Sequence, residues 1–274
     1  MSTTTEHSVE YIKKELPPIV SQIGWGLLGV GGGLAALAYI LDPTRAKFDN
    51  IIIFMFLASV GIGPLFMIAI EYLAGAIWST PLRRIFELQS AIVLVLPLVA
   101  LPLLINFFLG DGAQIYEWAT HEAMQDEILA RKAPYLNVPF FVIRVILVLG
   151  LWALFHKIFT GRSKEQDTTK DQSLTAKNVK LSAAFLPVFG FSLTALAIDF
   201  LMSLEPHWFS TIFGVNYFGG TLVVSLSVLS IIIVLLNENG YLHPGILRHH
   251  YYSLGFGLFA ANVSAENESD PERI

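Results

Sequence analysis

Cysteine is absent from the chain. That absence excludes disulfides, thiolate-held iron–sulfur clusters and a Cys nucleophile carried by this chain. Charge is nearly as scarce. Asp, Glu, Lys and Arg make up 14% of the 274 residues, against 54% hydrophobic, and mean hydropathy is +0.60. The net charge is −5 and the basic residues form no surface-like patch, so no nucleic-acid partner is expected. The polar segment 1–17 lacks the apolar core of a signal peptide, so the first apolar run reads as a retained anchor.

The chain is instead dominated by six long apolar runs: Ile19–Leu41, Ile51–Ala76, Phe86–Leu109, Val138–Phe159, Leu181–Leu204 and Ile212–Leu236. A hydrocarbon core of roughly 30 Å takes about 20 helical residues to cross, and backbone groups in lipid must bond internally. The expected fold class is therefore all-α: a polytopic membrane protein of six transmembrane helices. Tyr251–Val263 is apolar but too short to span, and reads as a partial seventh helix before a polar tail, 261–274. The polar stretch 160–178 reads as a linker between the first four helices and the last two.

Basic residues set the expected orientation. Lys13, Lys14, Arg83, Arg84, Lys157, Arg162, Lys164, Lys170, Lys177, Lys180 and Arg248 fall on one side, and Arg45, Lys47, Arg131 and Lys132 on the other, 11 against 4. The larger set predicts a cytoplasmic N-terminus and a cytoplasmic 160–178. The loops 42–50, 110–137 and 205–211 then lie outside, with a short surface helix in Tyr116–Arg131.

Some features read as packing. Gly24-Trp-Gly26-Leu-Leu-Gly29 matches the dinucleotide-binding G-x-G-x-x-G pattern but lies inside a membrane run, where small residues let helices approach. Gly61-Ile-Gly63-Pro64 reads as a kink or close contact, and Pro97 and Pro102 as bends. Trp118 and Trp208 read as interface anchors.

Ionisable residues within spans point to function, because burying a lone carboxylate in lipid costs on the order of 2.5–3.5 kcal/mol. Three stand out: Glu71 near the inner end of the second span, Arg144 near the outer end of the fourth, and Asp199 near the outer end of the fifth. Arg144 and Asp199 fall at similar depth, so they pair or face a shared polar cavity. Just above come Glu205 and His207 in a very short loop, with Tyr217 a turn into the next helix and His121 in the long outer loop. Carboxylates and an imidazole at the outer edge suit a quinol site or a proton exit. None of the seven histidines lies mid-span, which argues against a buried haem and leaves any redox metal to partner subunits.

The runs Ile115-Tyr-Glu-Trp-Ala119, Asp126-Glu-Ile-Leu-Ala-Arg-Lys132, Tyr135-Leu-Asn-Val-Pro-Phe-Phe-Val-Ile-Arg144 and Asp199-Phe-Leu-Met-Ser-Leu-Glu-Pro-His-Trp-Phe-Ser-Thr-Ile-Phe-Gly214 carry a family resemblance. Over about residues 18–260 the chain resembles the smaller quinone-type membrane subunit of bacterial alternative complex III, a quinol:electron-acceptor oxidoreductase. That subunit is related to the polysulfide-reductase membrane-anchor (NrfD-like) superfamily. The resemblance implies a complete four-helix bundle at 18–160, a cytoplasmic linker at 161–178 and an incomplete second bundle at 179–260. It implies the bacterial inner membrane as location, and as partners a larger homologous quinone-binding subunit, an iron–sulfur protein and c-type cytochromes. The only cofactor it suggests is a quinone, menaquinone or ubiquinone. Quinol oxidation in such complexes occurs toward the outer face. Family members continue beyond this point with further membrane helices, so the short C-terminus reads as a truncated product or short variant. The competing readings are a purely structural scaffold of that complex and an independent ion or solute transporter, the latter disfavoured by the lack of an inverted repeat.

Overall fold

The computed structural model describes residues 17–76, 80–109, 114–120, 122–242 and 255. Among these the chain is all-α: eight helices, short 3-10 turns and no strand. Six helical stretches are long and apolar enough to cross a membrane, so this is a polytopic all-α fold. The N-terminal segment 1–16, His121, the partial seventh helix at 251–263 (Gly255 excepted) and the tail 261–274 lie outside the described residues.

The chain divides into two compact units, Met1–Pro43 and Thr44–Ile274. The first holds α1 (Pro18–Leu41). Pro18 opens it at a position where the missing N–H is no loss, and the Asp42 N–H closes it on the Ala38 carbonyl at 2.9 Å. Gly24, Gly26 and Gly29 lie within this helix, so the G-x-G-x-x-G match is not a strand-to-helix turn. The later spans share one core. Across that core Phe54 stacks on Phe200 at 4.4 Å, and Phe66 on Phe189 at 4.8 Å.

In this second unit α2 (Pro43–Ala74) is the central helix. Its apolar window is 67% buried, against 28–39% for the unit's other spans. The expected loop 42–50 forms its first turns, since Pro43 begins a helix readily and nothing after it breaks one. The third span is interrupted. α3 (Arg83–Ser90) gives way to a 3-10 turn, Ala91–Leu94, before α4 (Leu96–Phe108). In a continuous helix the Pro97 ring would collide with the Val93 carbonyl; the interruption places Pro97 in the first turn of α4 instead. The bend expected at Pro97 is thus a break one turn earlier. It seats the Val93 backbone against Gly61 of α2, where an added Cβ would lie 3.1 Å from the Val93 nitrogen.

Two loop expectations are corrected. Tyr116–Arg131 is not one helix but two 3-10 turns, Glu117–Ala119 and Glu122–Gln125, followed by α5 (Glu127–Lys132). Asp126 caps α5, accepting from the Ile128 and Leu129 N–H groups at 2.8 and 3.0 Å. The chain bends there because Tyr116 and Trp118 turn inward. Trp118 is buried against Phe107, Tyr116 and Phe141, not an interface anchor. Most of 160–178 is likewise helical. α6 (Val138–Thr169) runs to Thr169 and α7 (Ser173–Phe200) starts four residues on. No proline interrupts Arg162–Thr169, and the reversal is made by Lys170 in the left-handed region, φ 58°, and by Asp171 accepting from the Ser173 N–H at 2.8 Å. α8 (Phe213–Glu238) completes the unit. Its Gly214 lets α7 come close: a Cβ there would meet the Thr194 side chain at 2.6 Å.

Candidate functional site

Polar side chains enter this apolar core at three levels. The first is the loop end, where 114–137 and 201–212 meet. Asn137 caps α6, its Oδ1 accepting from the Phe140 N–H at 3.0 Å, and this fixes Arg144 about two turns inside the span. Arg144 reaches Asp199 on the last turn of α7. Nε donates to Oδ2 at 2.7 Å and Nη2 to Oδ1 at 2.8 Å, while Nη1 donates to the Tyr135 carbonyl at 2.9 Å. The guanidinium lies 3.9 Å from the ring centroid of Tyr135 and 4.3 Å from that of Phe140. The Asp199 side chain is 2% exposed. Ser203 donates to the Asp199 carbonyl at 2.5 Å, and Tyr116 to that of Phe200 at 3.2 Å. Burial first, then the Asp199 charge, pushes the Tyr135 hydroxyl up to about 12, so it stays protonated. Of the two sequence expectations, a pair or a shared cavity, the structure shows the pair.

His207 does not join that pair. It sits at the surface, its Nε2 3.0 Å from Asp126 Oδ2 and its Nδ1 3.7 Å from Glu117 Oε2. The hydrogen bond with Asp126 raises the imidazole above its ordinary value and holds the Asp126 carboxyl below its own. Lys132 donates to the Pro206 carbonyl at 2.5 Å, a second tie between α5 and the α7–α8 loop. Glu205 is exposed, with no side-chain bond among the described residues. The expected outer cluster is therefore two sites: a buried Arg144–Asp199 pair and an exposed His207–Asp126 tie.

The second level lies between α2 and α8. Tyr217 donates to the Met55 carbonyl at 2.8 Å and contacts Ser59 Oγ at 2.8 Å, and Ser59 meets Thr221 Oγ1 at 3.2 Å. One helical step further, Gln89 of α3 donates to the carbonyls of Val60 at 3.1 Å and Ser225 at 3.0 Å. Sequence reasoning found Tyr217 but missed its partners. The signal was present: Tyr217, Thr221 and Ser225 recur every four residues, one face of an otherwise apolar helix.

The third level is the hairpin end, where α3 and the α6–α7 hairpin meet. Ser90 Oγ and His156 Nδ1 are 2.9 Å apart, both buried, and Thr160 donates to the His156 carbonyl at 2.7 Å. Arg84 bridges Glu87 and Asp167 and donates to the Ser163 carbonyl at 3.2 Å. Glu71 is buried with Arg83 Nε 3.7 Å from its Oε2, and Arg83 lies 4.6 Å from the Tyr72 ring centroid. Among the described residues no three His, Cys, Asp or Glu side chains are placed to share a metal ion.

Between the first and second levels the core is closed by aromatic rings. Phe54 precedes Met55 on α2, Phe200 follows Asp199 on α7, and the two rings stack. Comparison with known proteins finds no matching family model and no matching curated protein.

Proposed function

We propose that this chain is an integral membrane subunit of a respiratory quinol:electron-acceptor oxidoreductase and that it handles protons, not electrons. The observation that carries the reading is the polar ladder. Buried ionisable and hydroxyl groups stand at three levels of an otherwise apolar core, and buried charges are costly in a membrane. Serine, threonine and tyrosine hydroxyls both accept and donate, so Ser59, Tyr217 and Thr221 suit proton passage, with His156 and Ser90 on the hairpin side. Asp199 and Arg144 are the acid and its counter-charge on the loop side, and the Phe54–Phe200 stack separates the two sets. On the charge-derived topology the loop side is outer and the hairpin side cytoplasmic.

A quinone head needs donors for its two oxygens. Three of the five Arg144 N–H groups already donate, both Asp199 oxygens already accept, and the Tyr135 and Phe140 rings lie against the guanidinium. In this proposal quinone binding belongs to the larger homologous subunit, with the iron–sulfur protein and c-type cytochromes taking the electrons.

The test is isolation of the tagged chain from its native membranes. Co-purifying cytochrome absorbance is expected; its absence favours an independent transporter. In the assembled complex Asp199→Asn should slow quinol-dependent turnover or alter proton release without changing subunit composition. Wild-type turnover and wild-type proton stoichiometry would reduce Arg144–Asp199 to a structural ion pair.

A further inference from the structure

Two hollows lie end to end beside α7, one against α6 and one against the end of α5 and the loop after it. The larger, of about 430 Å³, is almost wholly apolar, walled by Phe140, Ile143, Leu147, Leu151 and Phe191. Ser192 adds no free polarity, because its hydroxyl accepts from Trp152 Nε1 at 2.8 Å and donates to the Phe189 carbonyl at 3.2 Å. From Phe140 to Leu151 the helix rises about 16 Å at 1.5 Å per residue. That equals one leaflet of a hydrocarbon core roughly 30 Å thick.

The smaller hollow, of about 350 Å³, starts one turn further along α7 at Ile198 and opens at the loop end beside Trp208 and Phe209. Its rim carries two adjacent cations, Arg131 and Lys132. Lys132 gives one N–H to Pro206 and keeps two, while Arg131 shares an exposed pair with Glu127. Asp199 beneath is neutralised by Arg144. Between the hollows Tyr135, which lines the upper one, stacks on Arg144, which lines the lower.

We propose that these hollows seat one anionic phospholipid, its phosphate at Lys132 and Arg131 and an acyl chain along Phe140–Leu151. Two features choose the occupant: an apolar length matching one leaflet, and cations at headgroup height. A neutral quinone ring would leave both cations unused. The site stands apart from the proton-handling reading and does not depend on it.

The tagged full chain, isolated in mild detergent with any bound partners, is titrated with phosphatidylglycerol and with phosphatidylcholine of the same acyl chains. Retained lipid is counted by native mass spectrometry. Wild type should keep one phosphatidylglycerol with a preference of about tenfold or more, as expected of two cations at a headgroup. Arg131→Gln with Lys132→Gln should abolish the preference. Ala195→Phe, which fills the larger hollow while leaving the rim intact, should lower retention of both lipids. Unchanged helix content by circular dichroism shows that the variants fold. Equal retention of the two lipids by wild type, or a preference that survives loss of both cations, overturns the proposal. So does ubiquinone displacing phosphatidylglycerol one for one.

Discussion

Arg144 holds Asp199 through two parallel N–H bonds of 2.7 and 2.8 Å across the α6–α7 interface, with the aspartate side chain 2% exposed. Losing one partner strands a charge, whereas losing both does not. Arg144→Leu is expected to destabilise the fold by about 3–5 kcal/mol, Asp199→Asn by clearly less, and the double change Arg144→Leu with Asp199→Leu by less than Arg144→Leu alone. Thermal unfolding of the three variants in detergent gives the order. A double variant as unstable as Arg144→Leu would mean the pair is not the unit of stabilisation.

Gly63 of α2 faces Ser225 of α8, and a Cβ there would lie 2.3 Å from Ser225 Oγ and 2.4 Å from its Cβ. Gly63→Ala should therefore cost about 1–3 kcal/mol through overpacking. Ser225→Gly in the same chain should recover much of it. Gly150→Ala, which meets nothing within 4 Å, is the neutral control.

His207 and Asp126 form a pH-dependent tie. The folded value of His207 is raised above 6.5, so its contribution is complete below 6.5 and lost as pH rises through the folded value. That of Asp126 is lowered below 3.8, so its share is present above 3.8 and lost as pH falls through the folded value. The tie is strongest between the two. Proton-coupled nitrogen spectra of labelled histidine should give His207 a midpoint above 6.5, assigned by its loss in His207→Gln. Asp126→Asn should move it back toward 6.5; no movement would remove Asp126 as the cause.

Sidedness is open to labelling because the chain has no cysteine. The turn at Lys170 is exposed and offers a probe. Lys170→Cys should resist an impermeant thiol reagent in intact cells and react once the membrane is opened, while Glu122→Cys reacts in both. The reverse pattern inverts the topology.

The apolar runs made the six spans legible, because a membrane helix has only its own length and hydrocarbon thickness to satisfy. Arg144 and Asp199 were legible for a related reason: a charge in lipid is too costly to be incidental. Contacts decided across the fold were hidden. Ser59, Gln89 and Ser90 are small or neutral within apolar sequence, and nothing local says that Ser59 meets Tyr217 or that Ser90 meets His156. His207 looked like a neighbour of Asp199 because the two are close in sequence. The 3-10 turn Met202–Leu204 and the loop after it carry the imidazole out to Asp126 instead. Polarity made 160–178 look like a loop, yet polar residues such as Lys, Glu and Gln are good helix formers wherever no proline interrupts them.

The 32 residues of α6 make a rod of about 48 Å, of which a bilayer core occupies about 30 Å. With α7 alongside, the remainder is a stiff two-helix post ending at Lys170 and anchored to α3 by Arg84. A soluble domain fused there, with both helices continued in register, would turn with the bundle and not swing on a tether. A 30.3 kDa membrane chain would then have a fixed landmark for single-particle imaging.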